Sequence, residues 1–174
     1  MMCARRNADC SIIVHGETFN CRRHDIQLAS TPLRGLLENA APDYPVELEV
    51  PEVTARSFEY VLRFAYRRPV ELDAGVVGEV MAVADALSMP RLRAECVSYM
   101  TRTLSPDTCL RYWSHLESYD VSANAEQSLY RRCREVACST FWRAADSPRL
   151  LAGASDAIVE MLLRDYGLQV YNII

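Results

Sequence analysis

The sequence contains no lysine: all 19 basic residues are arginine, set against 23 acidic ones for a net charge of -4. That acidic balance argues against a nucleic-acid surface, which needs clustered positive charge to neutralise phosphates. The arginine pairs Arg22–Arg23, Arg67–Arg68 and Arg131–Arg132 are each flanked by acidic or apolar residues and read as solvated helix and turn edges. Long hydrophobic runs are also missing. Val76 to Met89 is broken by Gly78, Glu79 and Asp85, well short of the roughly 20 apolar residues a membrane span requires. Met1 to Cys10 carries Arg5 and Arg6 with no apolar core behind them, unlike a secretory signal. An intracellular chain with neither nucleic-acid nor membrane partners is expected, placed in the cytoplasm and also in the nucleus.

Chemistry-bearing patterns are equally scarce. There is no glycine-rich phosphate loop and no C-x-x-C among the seven cysteines, Cys3, Cys10, Cys21, Cys96, Cys109, Cys133 and Cys138. His15, His24 and His115 do not cluster with cysteines at ligand spacing, and Cys133 and Cys138 fall on different faces of a helix. Free thiols buried in a reducing compartment account for them better than a metal site. Ser30, Cys109 and the histidines form no nucleophile–base set, and Glu47 and Glu49 alternate on one strand face rather than converging. No cofactor, metal or catalytic residue is expected, and the chain does not read as an enzyme.

What is present is ordered patterning, with 50% of residues hydrophobic and 24% charged, ordinary values for a folded chain. Ser11 to Val14 is β-branched and His15-Gly16-Glu17 a turn, so Thr18 to Cys21 returns as a hairpin. Ile26, Leu28 and Ala29 fall in a short helix. Thr31 as N-cap with Pro32 after it starts a second, through Leu33, Leu36 and Leu37. After a loop over Ala40 to Pro45, Val46 to Val50 alternates strictly, as a half-buried strand does. Phe58, Val61, Leu62 and Ala65 then mark an amphipathic helix that ends at Arg68-Pro69.

Asp73 caps the next helix, with Val76, Val80, Val83, Ala84 and Leu87 inward, and Pro90 opens another with Leu92, Cys96, Val97 and Met100. Ser105-Pro106-Asp107 is a compact helix start, followed by Cys109, Leu110, Trp113 and Leu116 on one side. Leu129, Cys133, Val136 and Phe141 or Trp142 indicate a helix from about 124 to 144, and Ser155 or Asp156 caps a last one through Ile158, Met161 and Leu162. Strands at one end and helices at the other predict an α+β domain with a helical extension.

Taken in order, these segments resemble a BTB/POZ domain. Asp9-Cys-Ser-Ile-Ile-Val14 with Phe19, Leu28-Ala-Ser30 with Leu33-Arg-Gly-Leu-Leu37, and Phe58 to Tyr66 are similar to the family's successive motifs. So is Val80-Met-Ala-Val-Ala-Asp-Ala-Leu-Ser-Met-Pro-Arg-Leu92. Leu104-Ser-Pro-Asp-Thr-Cys-Leu-Arg-Tyr-Trp113 resembles the start of the BACK region in kelch-like proteins, with no kelch propeller after it. The resemblance implies a BTB/POZ domain, a small sheet plus a helical cluster, over residues 1–102. Over 103–174 it implies an all-α 3-box and truncated BACK-like segment. The short, arginine-biased make-up is similar to that of viral relatives of kelch-like proteins.

By the same resemblance, the chain would dimerise, with itself or with other BTB proteins, and hold the cullin-3 N-terminal domain, in or in competition with a cullin-RING ubiquitin ligase. The implied cullin surface spans Ala40 to Tyr44, Leu62 to Tyr66 and Leu104 to Trp113, with Ala41, Asp43, Tyr44, Leu62, Tyr66, Leu110 and Trp113 as its contacts. The implied dimer interface uses Asp9, Ile12, Arg23, Ile26 and Leu28, with Asp9 and Arg23 as a charged pair. Two departures stand out: Ala41-Pro42-Asp43 replaces a hydrophobic-x-Glu triplet in a shortened loop, and only eight residues precede Asp9. Tyr66 has two readings, an interface anchor or a side chain that closes its own helix against the sheet. An oligomerisation scaffold without ligase function, as in transcriptional repression, is the alternative to the cullin adaptor. Without lysine, an adaptor would also carry no side chain for self-ubiquitination, although codon bias accounts for the absence more simply.

Overall fold

A computed structural model describes residues 8–40, 44–117, 124–145 and 156–171. The chain divides into two compact units, Met1–Cys96 and Val97–Ile174. The first begins with β1 (Cys10–Val14) and β2 (Glu17–Cys21), paired antiparallel with Ile12 opposite Phe19 and Val14 opposite Glu17. That register leaves His15 and Gly16 as a two-residue turn at φ 46° and 81°, the left-handed pair that matches the natural twist of a hairpin. Cys10, Ile12 and Val14 bury one face of β1 while Ser11 and Ile13 are only half-covered, so the strand's period of two is kept.

The chain then crosses through α1 (Arg23–Ala29) and α2 (Thr31–Glu38) before β3 (Val46–Glu47) pairs parallel with β1, giving the order β2-β1-β3. A parallel neighbour needs such a crossover. The predicted strand over 46–50 is shorter than its pattern: ladder pairing stops at Glu47, although Leu48 N–H still donates to the Ile13 carbonyl at 2.8 Å and Leu48 is buried. The cap of α2 is Ser30, one residue before the expected Thr31. Its Oγ accepts from Leu33 N–H at 3.2 Å, and Pro32 sits in the first turn, where a missing donor costs nothing.

Helix α3 (Ala55–Ala65) starts in a reciprocal capping box between Thr54 and Ser57 and buries Phe58, Val61 and Leu62. It stops at Tyr66, because Arg67 turns left-handed at φ 54°. Asp73 caps a turn rather than the helix itself: its carboxylate accepts from Gly75 and Val76 N–H, and α4 (Val77–Ala86) begins after it. Val76, Val80, Val83, Ala84 and Leu87 are all buried, as the apolar spacing predicts. Helix α5 (Pro90–Thr103) buries Leu92, Cys96, Val97 and Met100.

In the second unit, α6 (Cys109–Glu117) and α7 (Asn124–Ala145) pack on one another, followed by α8 (Asp156–Tyr171). The Ser105 start signal forms as a turn in which Thr108 Oγ1 accepts from Ser105 N–H at 2.9 Å, so α6 itself opens at Cys109. On α7 the buried stripe is Glu126, Leu129, Cys133 and Ala137, with Val136 half-covered at its edge. Ile158 and Leu162 are buried on α8, whereas the alternative cap, Ser155, lies outside the described residues. No described helix is long and apolar enough to cross a membrane.

Candidate interaction site

The positions implicated in partner binding separate sharply by exposure. Tyr44 is 74% exposed and Leu28 61%, whereas Leu62 is 1% exposed and Leu110 and Trp113 are similarly enclosed. A side chain already removed from water has no further apolar area to give to a partner. Leu62 belongs to the buried stripe of α3, and Leu110 and Trp113 to that of α6, so in this conformation their contribution is to the core. Ala41 and Asp43 lie outside the described residues. Ile12 and Ile26 are fully buried in their own unit, which leaves Leu28 as the apolar residue of the dimer set that faces solvent.

Asp9 and Arg23 are in contact, but not as an ion pair. The Asp9 carboxylate accepts the backbone N–H of Arg23 at 2.6 Å, while the Arg23 guanidinium donates to the Leu37 carbonyl at 2.5 Å. The guanidinium therefore ties the end of α2 to the start of α1, and Asp9 caps the entry to α1. Asp9, whose own N–H donates to the Cys21 carbonyl, ties the hairpin to α1.

Tyr66 is half-buried at the end of α3. Its hydroxyl accepts the Arg22 N–H at 3.2 Å, and the Arg22 guanidinium lies 5.0 Å from its ring centroid. The same guanidinium pairs with Asp25 at 2.7 Å. A cation over an aromatic face at this range adds roughly 0.5–1 kcal/mol at an exposed site. Arg22 thus joins the end of β2, the start of α1 and the end of α3, and Tyr66 closes its own helix against the hairpin. The sequence offered no signal for this, since an arginine before a helix carries no mark of the ring it will cover.

In the second unit, Trp113 and Tyr130 meet edge to face at 6.2 Å between centroids. Trp113 Nε1–H donates to Glu117 Oε2 at 2.7 Å and Tyr130 O–H to the same oxygen at 3.0 Å. This is the cement of a helix pair rather than a ligand pocket. Burial pushes the Cys96 and Cys133 thiols up to about 12, and it raises Cys109 and Cys10 as well. Thiols held protonated are poor nucleophiles and poor metal ligands, and among the described residues no group of His, Cys, Asp and Glu could hold a metal ion.

A family model described as BTB/POZ domain matches residues 1–104. Kelch repeat and BTB domain-containing protein 8 of Xenopus tropicalis is 23% identical over 152 residues, covering 87% of this chain and 24% of that protein. Kelch-like protein 40 of Mus musculus is 25% identical over 162 residues, covering 93% of this chain and 25% of that one. The chain therefore spans about a quarter of the length of these curated relatives. Among solved structures, the BTB domain of human gigaxonin matches at a TM-score of 0.49 and 21% identity, covering 55% of this chain and 79% of that one.

Proposed function

We propose, because the chain belongs to the BTB/POZ domain family, that it is a protein–protein interaction adaptor rather than a catalyst, one that dimerises and engages the cullin-3 N-terminal domain. The observation that carries this reading is the family match over residues 1–104. It takes in the hairpin, both short helices and all of α3, α4 and α5. Residues 1–102 would be the BTB/POZ domain proper and 103–174 a 3-box and partial BACK segment. The same proposal has the adaptor in the cytoplasm and nucleus, in or in competition with a cullin-RING ubiquitin ligase.

On the first unit, the exposure of Tyr44 supports it as the aromatic anchor of the cullin contact: a large, exposed amphipathic ring suits an interface hot spot. Tyr66, committed to Arg22 and only half-exposed, has less of its ring to offer a partner than Tyr44. For dimerisation, Leu28 is the described apolar residue in a position to be covered by a second BTB chain, its own or a relative's.

Calorimetric titration of the purified chain with a cullin-3 N-terminal domain tests the reading. Micromolar binding is expected. No binding at about 100 µM, weaker than roughly −5.5 kcal/mol, overturns the adaptor and leaves an oligomerisation scaffold. Light scattering reads self-association separately.

A further inference from the structure

The first unit carries an open groove of about 1100 Å³ between the end of α1, the end of α3 and the turn from α4 into α5. We propose that this groove docks a short acidic peptide segment of a partner protein, with apolar residues of that segment set among its carboxylates. The surface lies apart from the proposed cullin anchor Tyr44, and it shares only Leu28 with the proposed dimer contact.

Its apolar part is Leu28, mostly exposed on α1, with the half-covered Phe64 and Val70 beside it. Around these stand Arg67, Arg68 and Arg91, all exposed. Among the described residues none of the three side chains makes an ion pair or hydrogen bond. Of the two acidic residues in the lining, Asp25 is already paired with Arg22 at 2.7 Å. Glu95 remains and lies one turn after Arg91 on α5, which marks one end of the groove as less favourable to a carboxylate. The net charge offered to a ligand is positive. Planar guanidiniums that take no partner among the described residues suit bidentate carboxylate pairing.

Both flanking turns are built from residues in the left-handed region. Arg67 has φ 54° and Ser88 φ 51°, and both line the groove. Each turn is closed by backbone bonds that end its helix: Arg68 N–H to the Arg63 carbonyl at 2.9 Å, and Met89 N–H to the Ala84 carbonyl at 2.7 Å. Glycine is the residue that adopts this conformation without strain. Holding Arg67 there places a charge on a fixed turn instead of a loose loop, so less ordering is needed when a ligand arrives.

A groove of about 1100 Å³ with exposed arginines in its lining fits an extended chain better than an enclosed small molecule. Fluorescence anisotropy with a dye-labelled peptide of alternating glutamate and leucine, and a lysine-for-glutamate counterpart, tests the proposal on the full chain. The acidic peptide is expected to bind and the basic one not. The double change Arg67→Glu with Arg68→Glu should weaken binding at least tenfold, and Leu28→Ser severalfold. The pair Arg131→Glu with Arg132→Glu, on α7 and not among the residues lining the groove, should leave it intact.

Arg67→Gly supplies the second readout: it should lower affinity while leaving the thermal midpoint unchanged or raised, an outcome that misfolding cannot imitate. Equal loss in the groove and α7 variants overturns the proposal, as does binding that ignores Leu28. Self-association that excludes the peptide and survives the Arg67 and Arg68 changes would also overturn it and assign the groove to a second copy. Loss of cullin binding would not bear on it.

Discussion

The Ser30 hydroxyl donates to the Leu87 carbonyl across 57 residues of sequence, at 2.7 Å, while accepting the Leu33 N–H at 3.2 Å. One buried side chain therefore caps α2 and satisfies a carbonyl at the end of α4. Its backbone works in parallel, with Ser30 N–H ending α1 on the Ile26 carbonyl and its carbonyl accepting from Arg34. The joint between the two short helices is thereby pinned to the end of α4.

Ser30→Ala is expected to cost more than an ordinary cap. Losing the cap removes about 1 kcal/mol, and leaving the Leu87 carbonyl without its donor adds roughly 1–2 kcal/mol. Urea denaturation should read a loss of about 2–3 kcal/mol, with Ser30→Thr recovering most of it. A loss no larger than that of an exposed cap would mean that water replaces the Leu87 contact.

Glu117 gathers two donors in the second unit, Trp113 Nε1–H and Tyr130 O–H. Trp113 is buried as a whole residue, and truncating Glu117 removes the acceptor of its N–H and of the Tyr130 hydroxyl together. Glu117→Ala should destabilise by about 1–3 kcal/mol, whereas Glu117→Gln keeps an acceptor oxygen and should cost less than half of that. Equal effects from the two variants would show that charge, not acceptance, matters at this position.

The cysteines should differ in reactivity according to burial. Cys138 is exposed, whereas Cys96 and Cys133 are buried with their thiols pushed up to about 12. Near neutral pH a maleimide should modify Cys138 quickly, and should reach Cys96, Cys109 and Cys133 only after unfolding. Intact-mass and peptide mapping follow this directly. Labelling of Cys133 as fast as Cys138 in the native chain would contradict the α7 face assignment.

The fold was legible where a single period governed a segment. The i, i+3, i+4 apolar spacing located α3 and α4, and the β-branched run before His15-Gly16 located the hairpin. Caps were displaced by a residue or more: Thr31 and Ser30 are both good caps by type, and the distant Leu87 carbonyl that Ser30 also binds is invisible in the local sequence. Interaction residues were much less legible. Family position pointed to Leu62, Leu110 and Trp113, yet the apolar periodicity that made them conspicuous is the same feature that buries them. Arg22 and Arg67 carried no signal, because a ring contact and a left-handed backbone depend on tertiary surroundings.

His115, near the end of α6, is held below its ordinary value of 6.5, first by burial and second by the Arg111 charge. The folded state then favours the neutral ring, so the unfolded chain binds the extra proton more readily. Stability from this group is complete above the unfolded value and falls as the pH drops from 6.5 through the lowered folded value. Thermal midpoints should decline between about pH 7 and pH 5, and His115→Gln should flatten that part of the profile. An unchanged slope in the variant would place the dependence on other groups.

Tyr44 and Tyr66 should part company in a binding assay. Tyr44 is largely exposed and Tyr66 is held by Arg22. If Tyr44 anchors the cullin contact, Tyr44→Ala should weaken cullin-3 binding by about 2 kcal/mol, roughly thirtyfold, with little change in the thermal midpoint. Tyr66→Phe removes the acceptor for the Arg22 N–H and should cost stability of about 1 kcal/mol with a small effect on binding. Arg22→Ala should resemble Tyr66→Phe, since it removes the cation from the other side of the same clasp. The reverse pattern, with binding lost at Tyr66→Phe and stability untouched, would make the hydroxyl a partner contact and Tyr44 a bystander. Because the two tyrosines differ so much in what already surrounds them, stability and affinity measured on the same variants decide between these outcomes.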